Sequence, residues 1–354
     1  MDGAFIYNKH VTGKHNIGRK SEGMALANLL AGGENVVLWE PPKTGKMSLI
    51  QQTLYNMRIG GGAFSVAGFS LLGIRSREAF MTRMEDTVLQ SINPAPEEFA
   101  GGERSLEAIL TLPLRIARAT GKRCFVIISE FQDLGLFPEG EDILRAFDSV
   151  LGAFSPEEKR LCSFILSGSQ VNAMKEIFGR PGLFRRGFEH LPIGPVETRE
   201  IIDYVVKGFL VSGKVIERDL LLGVCKLFRQ NIWYINHFSA ICDSLSKGYI
   251  VEATLLEALD MLISIHEPRF VAMMEDLTTY QSGLLKAILD GHQKFSSAEV
   301  IGRYNLNSSA NVKRLKEALC KKEIITFEES DEHPVLLDPL FEYWAKKYYF
   351  GINE

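Results

Sequence analysis

Short, almost unbroken apolar runs alternate with helix-period stretches through the first half of the chain. The runs at 36–39, 63–67, 124–128 and 164–166 are apolar at nearly every position, the pattern of strands buried on both faces. They predict a parallel α/β sheet with helices on both sides. A further run at 190–193 contains Pro192 and predicts an edge strand, where a missing N–H is tolerated. After Pro195 the strand signals stop. Apolar residues then recur every three or four positions over 197–209, 217–228, 232–247 and 253–265, predicting a four-helix bundle. His266-Glu267-Pro268 is expected to break the last helix and mark a boundary. Three more helical stretches follow, at 281–290, 296–304 and 309–322, and then apolar segments at 324–328 and 334–337 flank a polar turn. Three helices and a β-hairpin predict a winged helix-turn-helix unit.

Composition narrows this picture without redirecting it. The 354 residues are 46% hydrophobic and 24% charged, which excludes a disordered chain. Forty Lys and Arg against forty-four Asp and Glu leave a net charge of −4, so the chain is no globally basic nucleic-acid coat. No apolar run approaches the length of a membrane helix, and the first twenty residues lack a signal-like core. A cytoplasmic protein with no membrane partner is expected. The five cysteines and seven histidines show no metal-ligand spacing, so no metal is assigned to them.

Candidate chemistry begins directly after the first strand. Glu40-Pro41-Pro42-Lys43-Thr44-Gly45-Lys46-Met47-Ser48 opens into a helix, the placement of a phosphate-binding loop. There Thr44, Gly45, Lys46, Met47 and Ser48 would line a nucleotide, with N–H groups at the helix start holding phosphate oxygens. Against the full G-x-x-x-x-G-K-[ST] pattern, Glu40 replaces the first glycine and Met47 the metal-binding hydroxyl. The bland alternative is an ordinary strand-to-helix turn carrying a solvated lysine. A second candidate is the strand 124–128 followed by Ser129-Glu130-Phe131-Gln132. In ATPases an Asp-Glu pair there holds magnesium and polarises the attacking water. Only the glutamate, Glu130, is present.

Taken in order, these segments resemble the archaeal-type ATPase family of AAA+/STAND-like P-loop NTPases. Ile17-Gly18-Arg19-x-x-Glu22 is similar to that family's opening box, and Glu130-Phe131-Gln132 to its Asp-Glu-x-Gln box without the aspartate. Ile165-Leu166-Ser167-Gly168-Ser169, Phe178-Gly179-Arg180-Pro181 and Leu191-Pro192-Ile193 resemble its later boxes, and Asp338-Pro339-Leu340-Phe341-x-x-Trp344 its closing one. The resemblance spans about 16–350. It implies an N-terminal extension at 1–15, an ATPase core at 16–195, a helical lid at 196–275 and a winged-helix domain at 276–354. It also implies nucleotide contacts from Ile17, Gly18 and Arg19, a catalytic Glu130, sensors at Ser167 and Ser169, and Arg180 as a charge sensor. Arg185 and Arg186 follow closely.

The departures gather where chemistry would occur: Glu40, Met47, Ser129, and Arg229-Gln230-Asn231-Ile232 in place of a Gly-Gly-Asn-Pro turn. Bound ATP or ADP, with at most weakly held magnesium and little or no turnover, is the expectation. In the winged unit Lys313, Arg314 and Lys316 are expected to face outward, with Arg303 before the turn, as a DNA-reading helix requires. The wing is acidic at Glu328, Glu329, Asp331 and Glu332, which opposes phosphate contact. Two functions therefore stay open. One is a nucleotide-dependent switch, with a homo-oligomer as one of its expected partners. The other is a non-hydrolysing scaffold or regulator that meets duplex DNA or a protein partner through its winged helix.

Overall fold

The structure is a computed structural model that describes residues 3–92, 99, 104–184, 187–327 and 333–352. Arg185, Arg186 and the acidic wing residues 328–332 lie outside the described residues. The chain divides into two units, one of residues 19–194 and the other of 1–18 with 195–354.

The first unit is built on a parallel sheet of order β2-β3-β4-β1-β5. Its strands are β1 Val36–Trp39, β2 Phe64–Ser70, β3 Arg123–Ser129, β4 Cys162–Gly168 and β5 Glu189–His190. Successive side chains of a strand point to opposite faces, and the two cores follow that rule. Val36, Leu38, Phe125, Ile127 and Ile165 pack on one face against helices α1 Lys20–Gly32 and α2 Lys46–Ile59. Val37, Cys124, Val126, Ile128, Phe164 and Leu166 pack on the other, against α3 Arg77–Gln90, α4 Leu106–Thr120, α5 Gly140–Gly152 and α7 Val171–Gly179. The short α6 Pro156–Leu161 precedes β4 and starts with a capping box at Ser155 and Glu158. The continuous apolar runs of β1, β3 and β4 thus correspond to two-sided burial, whereas β2, expected to be buried on both faces, is an edge strand that is mostly half-buried with Gly68 exposed. The edge strand at 189–190 is shorter than expected, ending before Pro192.

The second unit contains α8 Thr198–Val211, α9 Arg218–Leu227, α10 Ile232–Leu245 and α11 Glu252–Glu275. It also contains α12 Thr279–Leu289, α13 Ala298–Arg303, α14 Ser309–Lys321 and α15 Pro339–Trp344. Strands β8 Ile325–Phe327 and β9 Pro334–Leu336 pair antiparallel, giving the three-helix-plus-hairpin order of a winged helix.

Two expectations fail here. Strand signals do not end at Pro195, because β6 Val215–Ile216 and β7 Tyr249–Ile250 form a small parallel pair. Two-residue strands are too short to show any period. Nor does 266–268 interrupt the chain: α11 runs for 24 residues with Pro268 inside it. His266 and Phe270 are buried on either side of the proline, and Glu267 accepts the Trp344 indole N–H at 3.1 Å. Tertiary packing offsets the lost helical hydrogen bond.

The first residues belong to this second unit. Phe5 is buried against Tyr204 and Phe209, and the Ile6 carbonyl accepts from Asn236 at 3.1 Å. Among the described residues no helix is long and apolar enough to cross a membrane.

Candidate functional site

The site forms at the carboxyl ends of β1, β3 and β4, which lie level because Trp39 pairs with Gly168 and Ser129 with Ser167. This is where open α/β sheets bind ligands. After β1 the backbone reverses through Lys43 at φ 67° and Gly45 at φ 92°. A Cβ at Gly45 would meet open space, so glycine serves the left-handed conformation rather than close packing. The Thr44 hydroxyl donates to the Pro41 carbonyl at 2.9 Å and fixes the turn. Gly45 then caps α2, whose first N–H groups have no partners within the helix.

Lys46, in the first turn of α2, is buried. Its ammonium donates to the Glu40 carbonyl at 2.6 Å and the Pro41 carbonyl at 2.9 Å, folding back into its own loop. Burial lowers the amine to about 8, while the nearby charges of Glu130 and Glu40 pull it upward. The solvated-lysine alternative does not describe this residue.

Glu130 stands at the end of β3 with φ 55°, before a 3-10 turn, Phe131–Leu136. Its carboxylate accepts from the Gln132 amide at 2.7 Å and from the Ser169 hydroxyl. The Gln132 carbonyl oxygen in turn accepts the Ser169 N–H at 3.3 Å. This cross-strand lock requires Gly168, because a Cβ there would collide with Met174 and with Gln132. Ser169 is therefore joined to Glu130, whereas Ser167 is buried in the sheet between Leu38 and Ser129.

One residue of this cluster escaped the sequence reading. Asp133 is buried, accepts from Gln132 at 3.3 Å and pairs with Arg75 at 3.6 Å. Burial pushes its carboxyl upward against the pull of Arg75, and the Glu130 charge adds to the rise. The signal was an acid directly after the Glu-Phe-Gln box.

The departures from the motif have structural occupations. Met47 packs into the apolar layer under α1 and α2. The Ser129 hydroxyl donates to the Phe69 carbonyl at 3.4 Å. Burial raises the Glu40 carboxyl, which accepts the Ile193 N–H at 3.4 Å and feels Lys46, Arg19 and Lys175. Among the described residues no three His, Cys, Asp or Glu side chains gather to hold a metal. These residues fit phosphate oxygens but do not fit a magnesium ion held at the two usual anchors.

The remaining expected site residues divide. Arg19, left-handed at φ 64°, donates to the Gly194 carbonyl, to the Thr44 carbonyl at 3.4 Å and to Glu22 at 3.1 Å. It therefore contacts the loop after β1 at the Thr44 carbonyl. Ile17 and Gly18 belong to the other unit, where a Cβ on Gly18 would collide with Val196. Arg180 pairs with Glu141 at 2.5 Å and Glu176 at 3.5 Å. Its charge is matched by two carboxylates on α5 and α7.

On the winged unit, Val312, Leu315 and Leu319 face its core while Lys313 and Arg314 are exposed. Lys313 lies 4.0 Å from Glu317. Lys316 is half-buried, its ammonium 4.9 Å from the Phe295 ring and 5.3 Å from the Phe327 ring. Arg303 is exposed over the Tyr304 ring at 5.4 Å.

Residues 268–347 match the family model described as "Probable winged helix domain". No curated protein sequence matches the chain. Among solved structures, a Walker-type ATPase of Pyrococcus abyssi is similar at TM-score 0.74 and 16% identity, covering 96% of this chain and 99% of that one. The ORC2 protein of Aeropyrum pernix, solved with ADPNP and ADP, is similar at TM-score 0.59 and 14% identity, with 93% of each chain covered. The ORC1 protein of the same organism, solved with DNA, gives TM-score 0.50 and 13% identity over 96% of this chain and 94% of that one. The fold is thus that of the P-loop ATPases, a parallel α/β core in one chain with a C-terminal winged helix.

Proposed function

We propose that the chain binds ATP or ADP at Thr44, Gly45, Lys46, Met47 and Ser48, and works as a nucleotide-dependent switch with little or no hydrolysis. The observation that carries this is Lys46: a buried ammonium at the start of α2, held by loop carbonyls and facing the charge of Glu130. A left-handed loop before a helix start suits phosphate oxygens, and phosphates would replace the carbonyls as partners of the ammonium.

The protein's own groups divide the work. Lys46 and the helix start bind, Arg19 braces Thr44, and the Ser169–Glu130–Gln132 lock fixes the carboxylate that would orient a water. Losing both metal anchors removes the charge neutralisation on which fast phosphoryl transfer depends. Titration with a fluorescent ATP analogue, with and without magnesium, tests this. Affinity should change little with the metal and vanish in Lys46→Ala. Turnover near the ~1–100 per second of efficient phosphoryl-transfer enzymes would overturn the slow-switch reading.

Exposed Lys313 and Arg314 on α14 favour a second reading, in which the winged helix meets duplex DNA. The DNA present with the similar ORC1 structure supports it. A protein partner at the same face is the outcome if DNA does not bind.

A further inference from the structure

A cavity of about 330 Å³ opens between α9 and α15, walled by Lys226, Arg229, Glu342, Tyr343 and Lys346 among others. Lys226 lies in the last turn of α9 and Arg229 two residues beyond the helix end, and both line the cavity. Arg229 donates to the Leu336 carbonyl at 2.6 Å and pairs with Glu342. Lys346 reaches the same carboxylate from the following turn of the chain at 3.0 Å. That turn, Ala345–Tyr349, is a π-helix, a rare form that often marks functional positions.

Two cations, Arg229 and Lys346, therefore meet at one carboxylate, and Lys226 adds a third positive charge to the wall, so the lining carries two positive charges in excess around an open cavity. A clamp between two helices needs one cation for one acid, so the exposed surplus is available to another anion. Asp338 acts on Arg229 through its charge but is shared with other partners. Its oxygens are taken by Arg269 at 2.6 Å, Tyr234 at 2.9 Å and the N–H groups at the start of α15. The backbone adds a second observation. Arg229 and Gln230 stand at φ 46° and 57°, a region L side chains avoid. A glycine would be the ordinary residue there, yet an arginine is held in place with its guanidinium at the cavity.

We propose that this cavity is a second phosphate-binding site, separate from the loop at 40–48, in which Arg229 with Lys226 and Lys346 takes a phosphate-bearing ligand. A dianionic phosphate matches the excess charge, and a guanidinium offers it paired N–H donors. The shared chemistry is the phosphate group, which either a free pyrophosphate-type metabolite or a nucleic-acid strand presents.

The test uses the full chain with Lys46→Ala in place, so that the first site cannot contribute. Calorimetry with inorganic pyrophosphate and anisotropy with a labelled single-stranded oligonucleotide, both at low salt, form its two arms. Binding in either arm is expected, and it identifies the source of the phosphate. Arg229→Gly, which suits the backbone while removing the guanidinium, should weaken that binding about ten- to a hundredfold. If that variant does not fold, Lys226→Gln with Lys346→Gln should weaken it at least tenfold. No binding in either arm, or unchanged affinity in these variants, overturns the proposal. Binding lost with Lys46→Ala but kept in Arg229→Gly would likewise overturn it while leaving the nucleotide loop intact.

Discussion

At the scale of single residues, Lys46 carries a pH dependence that can be signed. Its folded value of about 8 lies below the ordinary 10.5, so the unfolded chain holds more protons between those limits. The resulting penalty is complete below about pH 8 and is relieved as pH rises towards 10.5. Phosphates beside the ammonium favour its charged form. Nucleotide binding should therefore take up a proton above about pH 8, and affinity should fall as pH rises further. Calorimetry in two buffers of different ionisation enthalpy reads this directly, and pH-independent affinity across that range would refute it. Glu40 gives a second residue-scale outcome. A carboxylate about 6 Å from a phosphate costs of order 2 kcal/mol at an effective dielectric near 20. Glu40→Gln should accordingly tighten nucleotide binding by about tenfold or more, as an analogue titration would show. Of these residues, Lys46, Glu130 and Ser169 were legible because each ends a strand or starts a helix in a fixed order. Asp133, and the collision that demands Gly168, were not: both depend on what a neighbouring strand or loop brings near.

At the scale of elements, the strand runs of β1, β3 and β4 were legible because two-sided burial writes itself as unbroken apolar sequence. The helix through Pro268 and the pair β6–β7 were not, since burial around His266 and two-residue pairing leave no periodic trace. The same dependence on neighbours appears at the end of β4. Gly168→Ala should cost about 1–3 kcal/mol by forcing Met174 or Gln132 aside. Chemical denaturation measures that loss, and wild-type stability would show that the lock is loose. On α14 the structure separates lysines that the sequence groups together. Replacing exposed Lys313 and Arg314 by alanine should reduce the logarithmic salt slope of duplex binding by about two, at about 0.9 per phosphate. Lys316→Ala should leave that slope alone and lower stability by about 0.5–1 kcal/mol through its lost ring contacts. Equal loss of slope from all three positions would contradict this division.

At the scale of the whole molecule, the chain passes between its two units twice, at 18–19 and at 194–195. Both passages meet one side chain within the α/β unit. Arg19 begins that unit, donates to the carbonyl of Gly194 where the unit ends, and reaches the Thr44 carbonyl of the phosphate loop. Glu40 adds a second tie, through the N–H of Ile193. These hydrogen bonds join the loop directly to the points where the chain leaves the unit. The opening Gly-Arg box showed in the sequence, but this contact did not, because Arg19 and Gly194 lie 175 positions apart. If the proposed switch operates, filling the loop should alter amide hydrogen exchange at 191–196 in step with occupancy. Phosphates would draw Lys46 off the Glu40 and Pro41 carbonyls, and the loop would settle around them. Exchange there should slow, since it reports local opening. Arg19→Ala should remove most of the slowing while leaving the effect at α2 in place. Slowed exchange at α2 with no change at 191–196 in the unaltered chain would mean that nucleotide binds without being read, and the switch would then have to be abandoned.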